Sequence, residues 1–159
     1  FRAPLAERGH TLPEVDPEAL MSGGGRHIPA AVCPDLPSLL TFIDTHLGIC
    51  AAILDRQTPE TLRALAGERA VDPEAYYEDS PARFIDFARM AAGRHPYGWT
   101  EIPGATGRFR VELIAALRQI HWETIAHLRT VQRLKRLQGL PEGAPLPREG
   151  YLELPEFYD

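Results

Sequence analysis

The chain has 159 residues, 44% of them hydrophobic and 25% charged, a composition that fits one globular domain and excludes collagen-like, disordered and membrane-spanning classes. A net charge of -5 and a pI near 5.7 speak against binding to a phosphate backbone, so nucleic acid is not an expected partner. Cys33 and Cys50 are too few for a disulfide framework and lack a C-x-x-C spacing, so both are expected to be free thiols. No run approaches about 18 consecutive apolar residues and no signal peptide is recognisable, which predicts a cytoplasmic protein with no membrane partner. Phe1 is not an initiator methionine, so residues are expected to precede it.

Residues 1 to 34 carry five prolines and the run Gly23-Gly24-Gly25, which predicts an irregular arm. A phosphate loop is not expected there, because no strand precedes the glycines and no G-K-[ST] follows them. Asp35 then reads as an N-cap and Pro37 as a first-turn residue of a helix that runs to about Asp55. Its apolar stripe is Leu36, Leu39, Ile43, Cys50 and Ile53, with His46 where the pattern asks for Leu or Ile.

Thr58-Pro59-Glu60 opens a short helix to about Ala66, and Ser80-Pro81 opens another that Gly93 ends. Residues 94 to 107 read as a long loop carrying Tyr97 and Trp99, two aromatic residues able to wall a small-molecule substrate or to anchor the loop. His10, His27 and His95 have no partner at ligand spacing and are expected at the surface. The last helix is predicted from Arg108 to Gly139, with a stripe of Phe109, Leu113, Leu117, Ile120, Val131 and Leu134 and cations at its end that suit the macrodipole. No segment alternates with period two for long enough to predict a strand. The fold expected is all-α, a four-helix bundle over 35–141, preceded by the irregular arm 1–34 and followed by a tail, 142–159, pinned by Tyr151, Leu152, Leu154 and Phe157.

Glu123 and His127 are four residues apart on the last helix and project from the same side, while His46 lies on the seam of another helix. Two histidines and a carboxylate on facing helices form a ligand set for a divalent ion such as zinc or nickel, with a position left open for water or a low-molecular-weight thiol. The plainer alternative makes His46 a hydrogen-bonded core residue and Glu123 the partner of His127 across one turn.

The run Leu39-Leu40-Thr41-Phe42-Ile43-Asp44-Thr45-His46-Leu47, followed much later by Ile120-His121-Trp122-Glu123-Thr124-Ile125-Ala126-His127-Leu128 and a close at Gly139-Leu140-Pro141, resembles the DinB-like superfamily over roughly residues 36–141. The resemblance implies a four-helix bundle with one metal-ligating histidine on the second helix and a pair four residues apart on the last. The Glu and His pair of its maleylpyruvate isomerase branch is similar to Glu123 and His127, which implies thiol-dependent transfer or isomerisation, or metal-assisted hydrolysis. A bound metal would make a water or thiol nucleophilic at neutral pH. The family's first long helix has no counterpart before Asp35. The reading from another class is a metal-free helical interaction protein that forms a homodimer, since an apolar strip at Val131, Leu134 and Leu137 must be covered by the tail or by a second copy.

Overall fold

The computed structural model describes residues 1–12, 31–76, 81–141 and 143–155. The run Gly23-Gly24-Gly25, His27, Ser80 and Phe157 lie outside the described residues. The chain divides into two compact units, Phe1–Pro59 and Glu60–Asp159.

In the first unit, α1 spans Arg2–Glu7 and α2 spans Leu36–Leu54. Asp35 caps α2 as its sequence requires, its Oδ1 accepting from the Ser38 backbone N–H at 2.8 Å, with Pro37 in the first turn. The C-terminal end of α2 is tied to the turn after α1. Arg56 donates from Nη1 to the Gly9 carbonyl at 3.0 Å and from Nη2 to the Arg8 carbonyl at 3.2 Å. The Gln57 amide donates to His10 Nε2 at 3.1 Å and to the Ile53 carbonyl at 3.1 Å. Leu5, His10 and Ile53 are the buried side chains of this unit among the described residues.

The second unit is α+β, which corrects the expectation of an all-α four-helix bundle. Its elements are α3 (Pro59–Ala64, beginning at the unit boundary), β1 (Ala66–Ala70), α4 (Phe84–Arg94), β2 (Trp99–Glu101), β3 (Arg108–Glu112), α5 (Leu113–Leu137) and a 3-10 turn at Gly150–Glu153. The strands form an antiparallel sheet in the order β1-β3-β2, with Gly67 and Trp99 both opposite Val111. Residues opposite each other share a face. Phe109, Val111 and Trp99 are therefore buried together, while Glu68, Thr100, Arg108 and Arg110 share the exposed face.

The physical reason that periodicity missed these strands is their length, three to five residues. Two or three alternations cannot be told from chance by pattern alone. The last helix accordingly begins at Leu113 instead of Arg108, where the chain leaves β3. It has 25 residues and runs about 37 Å at 1.5 Å per residue.

Packing in the second unit centres on Ala91 of α4, Trp122 and Ile125 of α5, and Tyr151 and Leu152 of the C-terminal turn. Two α5 side chains hold that C-terminal segment in place. Arg129 donates to the carbonyls of Leu152 at 3.1 Å and Pro147 at 2.7 Å, and Gln132 donates to the Ala144 carbonyl at 2.8 Å.

Candidate functional site

The long helix α5 has two apolar faces. Leu113, Ala115, Gln119, Trp122 and Ile125 are buried, whereas Ile120, Leu128, Val131, Leu134 and Leu137 are 45% to 74% exposed. Ile120 and Trp122 are two residues, about 200°, apart on a helix, so they face opposite ways. The stripe that aliphatic periodicity placed inside thus lies on the outside from Ile120 onward. The inner face is led by an indole, an amide and alanines, which close packing against α4 and the C-terminal turn requires and a hydropathy pattern under-weights.

Helix α2 repeats the arrangement. Ile53 is buried and Leu39, His46 and Cys50 are half-buried, but Leu36, Leu40, Ile43, Leu47 and Leu54 are 41% to 65% exposed. The positions 36, 40, 43, 47, 50 and 54 follow the alternating four-and-three spacing of a coiled-coil seam. Asp44 is the single Asp, Glu, Lys or Arg within the helix, which with 19 residues is long and apolar enough to cross a membrane.

A second concentration of unusual chemistry surrounds the loop after α4. His95, expected at the surface, is instead 7% exposed, its ring stacked between Trp99 and Trp122 with centroids 5.1 and 4.5 Å away. Its Nε2 lies 3.1 Å from Gln119 Oε1, and the Gln119 amide NH2 donates to Glu123 Oε1 at 2.7 Å and to the Tyr151 hydroxyl at 3.5 Å. That amide orientation makes Nε2 the donor and leaves the lone pair on Nδ1, which is buried with no partner among the described residues. Burial pushes the imidazole below the ordinary histidine range, and the Gln119 hydrogen bond offsets only part of that. The ring is therefore neutral near pH 7.

Tyr97 points the other way from the same loop. It is half-exposed with the guanidiniums of Arg63 and Arg118 over its ring, 4.5 and 5.1 Å from the centroid, and its hydroxyl accepts from Arg118 Nη2 at 3.3 Å. Gly98, at φ +83°, makes the turn between Tyr97 and Trp99, and a Cβ there would meet the Glu112 and Ala115 side chains. Leu113 N–H donates to the Leu65 carbonyl at 2.8 Å, which brings the end of α3, and Arg63 with it, to the start of α5.

The expected metal ligands are divided between the two units. His46 belongs to the first unit, where its Nδ1–H donates to the Phe42 carbonyl at 2.7 Å and its ring lies 4.0 Å from that of Phe42. In the second unit Glu123 is committed to Gln119 and His127 is exposed on the outer face of α5. Among the described residues no group of three or more His, Cys, Asp or Glu side chains is arranged to hold a metal ion. Of the residues assigned to a substrate wall, Trp99 is buried against His95 and Tyr97 is the one at the surface.

His95, Gln119, Trp122 and Tyr151 carry a connected buried network that spacing arguments passed over. The available signal was the density of aromatic and polar residues in His95-Pro96-Tyr97-Gly98-Trp99. In the first unit a cavity of about 570 Å³ is lined by Gly9, His10, Thr45, Gly48, Ala52 and Arg56, among others. His10 and Arg56 are already bonded within the unit, so its walls offer little uncommitted polarity. No family model, curated protein or solved structure matches the chain.

Proposed function

We propose that the chain is a helical docking protein that assembles with a second copy of itself through the exposed seam of α2. The observation that carries this reading is the row Leu36, Leu40, Ile43, Leu47 and Leu54, large apolar side chains left open to solvent at coiled-coil spacing. A two-fold contact requires a patch that is complementary to itself, and an apolar seam with one charge beside it meets that condition. An anionic bilayer is a poorer occupant, since Asp35 and Asp55 flank the helix and the net charge is -5.

Magnitudes support a modest affinity. Across a two-fold, ten half-exposed side chains each gain about 1 kcal/mol on full burial, roughly 10 kcal/mol in total. That sum stands against about 4 to 15 kcal/mol for lost freedom on association. At the low end of that cost the seam alone leaves about 6 kcal/mol in favour of association. A dissociation constant of about tens of micromolar is then the expected result.

Light scattering on wild-type protein and on Leu40→Glu and Leu47→Glu variants tests it. The wild type is expected at about twice 17.7 kDa and each variant at 17.7 kDa. Co-flotation of the wild type with neutral lipid vesicles, abolished by the same substitutions, would assign the seam to a membrane instead.

A further inference from the structure

The arginine pair over Tyr97 plays no part in the seam. Arg63 comes from α3 and Arg118 from α5, and the loop bearing Tyr97 fits between these two contributions because Gly98 permits the turn. Two guanidiniums converging on one phenol are an unfavourable arrangement in isolation, since like charges repel and a phenol neutralises neither. The Glu112 carboxylate lies beside Gly98, and its Oε1 is engaged by Arg110 Nη1 at 2.7 Å. Arg118 Nη1 is buried and has no hydrogen-bond partner among the described residues, which leaves a charged donor unsatisfied. The Tyr97 hydroxyl accepts from Arg118 and keeps its own proton free to donate.

We propose that Arg63, Arg118 and Tyr97 form a binding site for a small dianionic oxyanion, with the exposed Arg63 fork and Arg118 Nη2 taking its oxygens and the phenol donating a further hydrogen bond. Guanidinium is suited to this role because its planar fork matches carboxylate and phosphate oxygens, and charge-assisted bonds of this kind are about twice as strong as neutral ones. The hydroxyl of Tyr97 already sits below the ordinary tyrosine range, first through the hydrogen bond from Arg118 and then through Arg63, so it reports on the two cations directly. A dianion that neutralises them removes this effect and returns the phenol towards its ordinary value.

The test uses the full chain, with inorganic phosphate and succinate as probes at constant ionic strength. Calorimetric titration to about 10 mM is expected to detect one site, and absorbance titration of Tyr97 is expected to move to higher pH when the probe is bound. Arg63→Gln, at an exposed position, is expected to weaken binding by about tenfold or more, and Arg63→Lys to recover part of it. Tyr97→Phe is expected to lose only a few-fold, since it removes one neutral donor. Phosphate bound more tightly than succinate identifies a tetrahedral ligand, and the reverse a dicarboxylate. No saturable binding of either probe, or equal binding by Arg63→Gln protein with an unchanged melting temperature, would overturn the site.

Discussion

The indole of Trp122 lies in the space that a Cβ on Gly150 would occupy, so the C-terminal turn docks on α5 only because residue 150 has no side chain. Gly150 also has a φ of +59°, which L residues rarely adopt. Gly150→Ala therefore combines overpacking with backbone strain and is expected to destabilise the second unit by about 2 to 4 kcal/mol. Thermal melts followed by tryptophan fluorescence measure this, because Trp122 is released with the turn. A change below about 0.5 kcal/mol would mean that the turn is not docked on Trp122.

Acid should weaken the second unit through His95. Its folded-state affinity for a proton is depressed by burial, while the unfolded chain titrates near the ordinary value of 6.5. The unfolded state therefore binds more protons below that pH, so stability is retained above about 6.5 and declines as pH falls, until the folded protein itself protonates His95. In the folded ring Nδ1 has no hydrogen-bond partner among the described residues, and the Arg118 charge opposes a second proton. Denaturant midpoints from pH 8 to pH 5 should fall for the wild type and flatten for His95→Phe.

Gln119 connects His95 to Glu123 and reaches Tyr151, so its loss leaves buried polar groups unpaired. Gln119→Leu is expected to cost about 1 to 3 kcal/mol, despite the apolar surroundings that a leucine would otherwise suit. Urea unfolding curves check this. A variant as stable as the wild type would show that the amide links nothing of consequence.

The two faces of α2 give a paired expectation. Ile53→Ala removes a buried side chain and should cost about 2 to 4 kcal/mol, whereas Leu47→Ala, on the exposed side, should stay within about 0.5 kcal/mol in dilute monomeric protein. Measured at concentrations where the chain self-associates, Leu47→Ala should also lose stability by mass action.

Much of the helical frame was legible in the sequence through its punctuation. Asp35 with Pro37, Thr58-Pro59 and Gly139 mark helix ends by local chemistry, and α2, α3 and the end of α5 lie where those signals put them. The strands were not legible, because β2 has three residues and β3 has five, and its alternating Arg108-Phe109-Arg110-Val111 ran directly into helical periodicity from Leu113. The burial of His95 is a tertiary fact, fixed by two indoles that approach it from the following strand and from α5. Nor could periodicity say which face of α5 turns inward, since Ile120, Val131 and Leu134 satisfy the same pattern as a core and stand open to solvent. The resemblance to the DinB-like superfamily implied a bundle that the sheet corrects, while the helices it implied at His46 and His127 are present.

Sedimentation equilibrium of the wild-type chain from about 1 to 100 μM tests the docking reading most directly, since that range brackets the association that the exposed α2 seam supports. The mass should rise from 17.7 kDa towards twice that value across the range, and Leu40→Glu should hold it at 17.7 kDa throughout. A wild-type mass of 17.7 kDa at every concentration would contradict self-association through Leu36, Leu40, Ile43, Leu47 and Leu54.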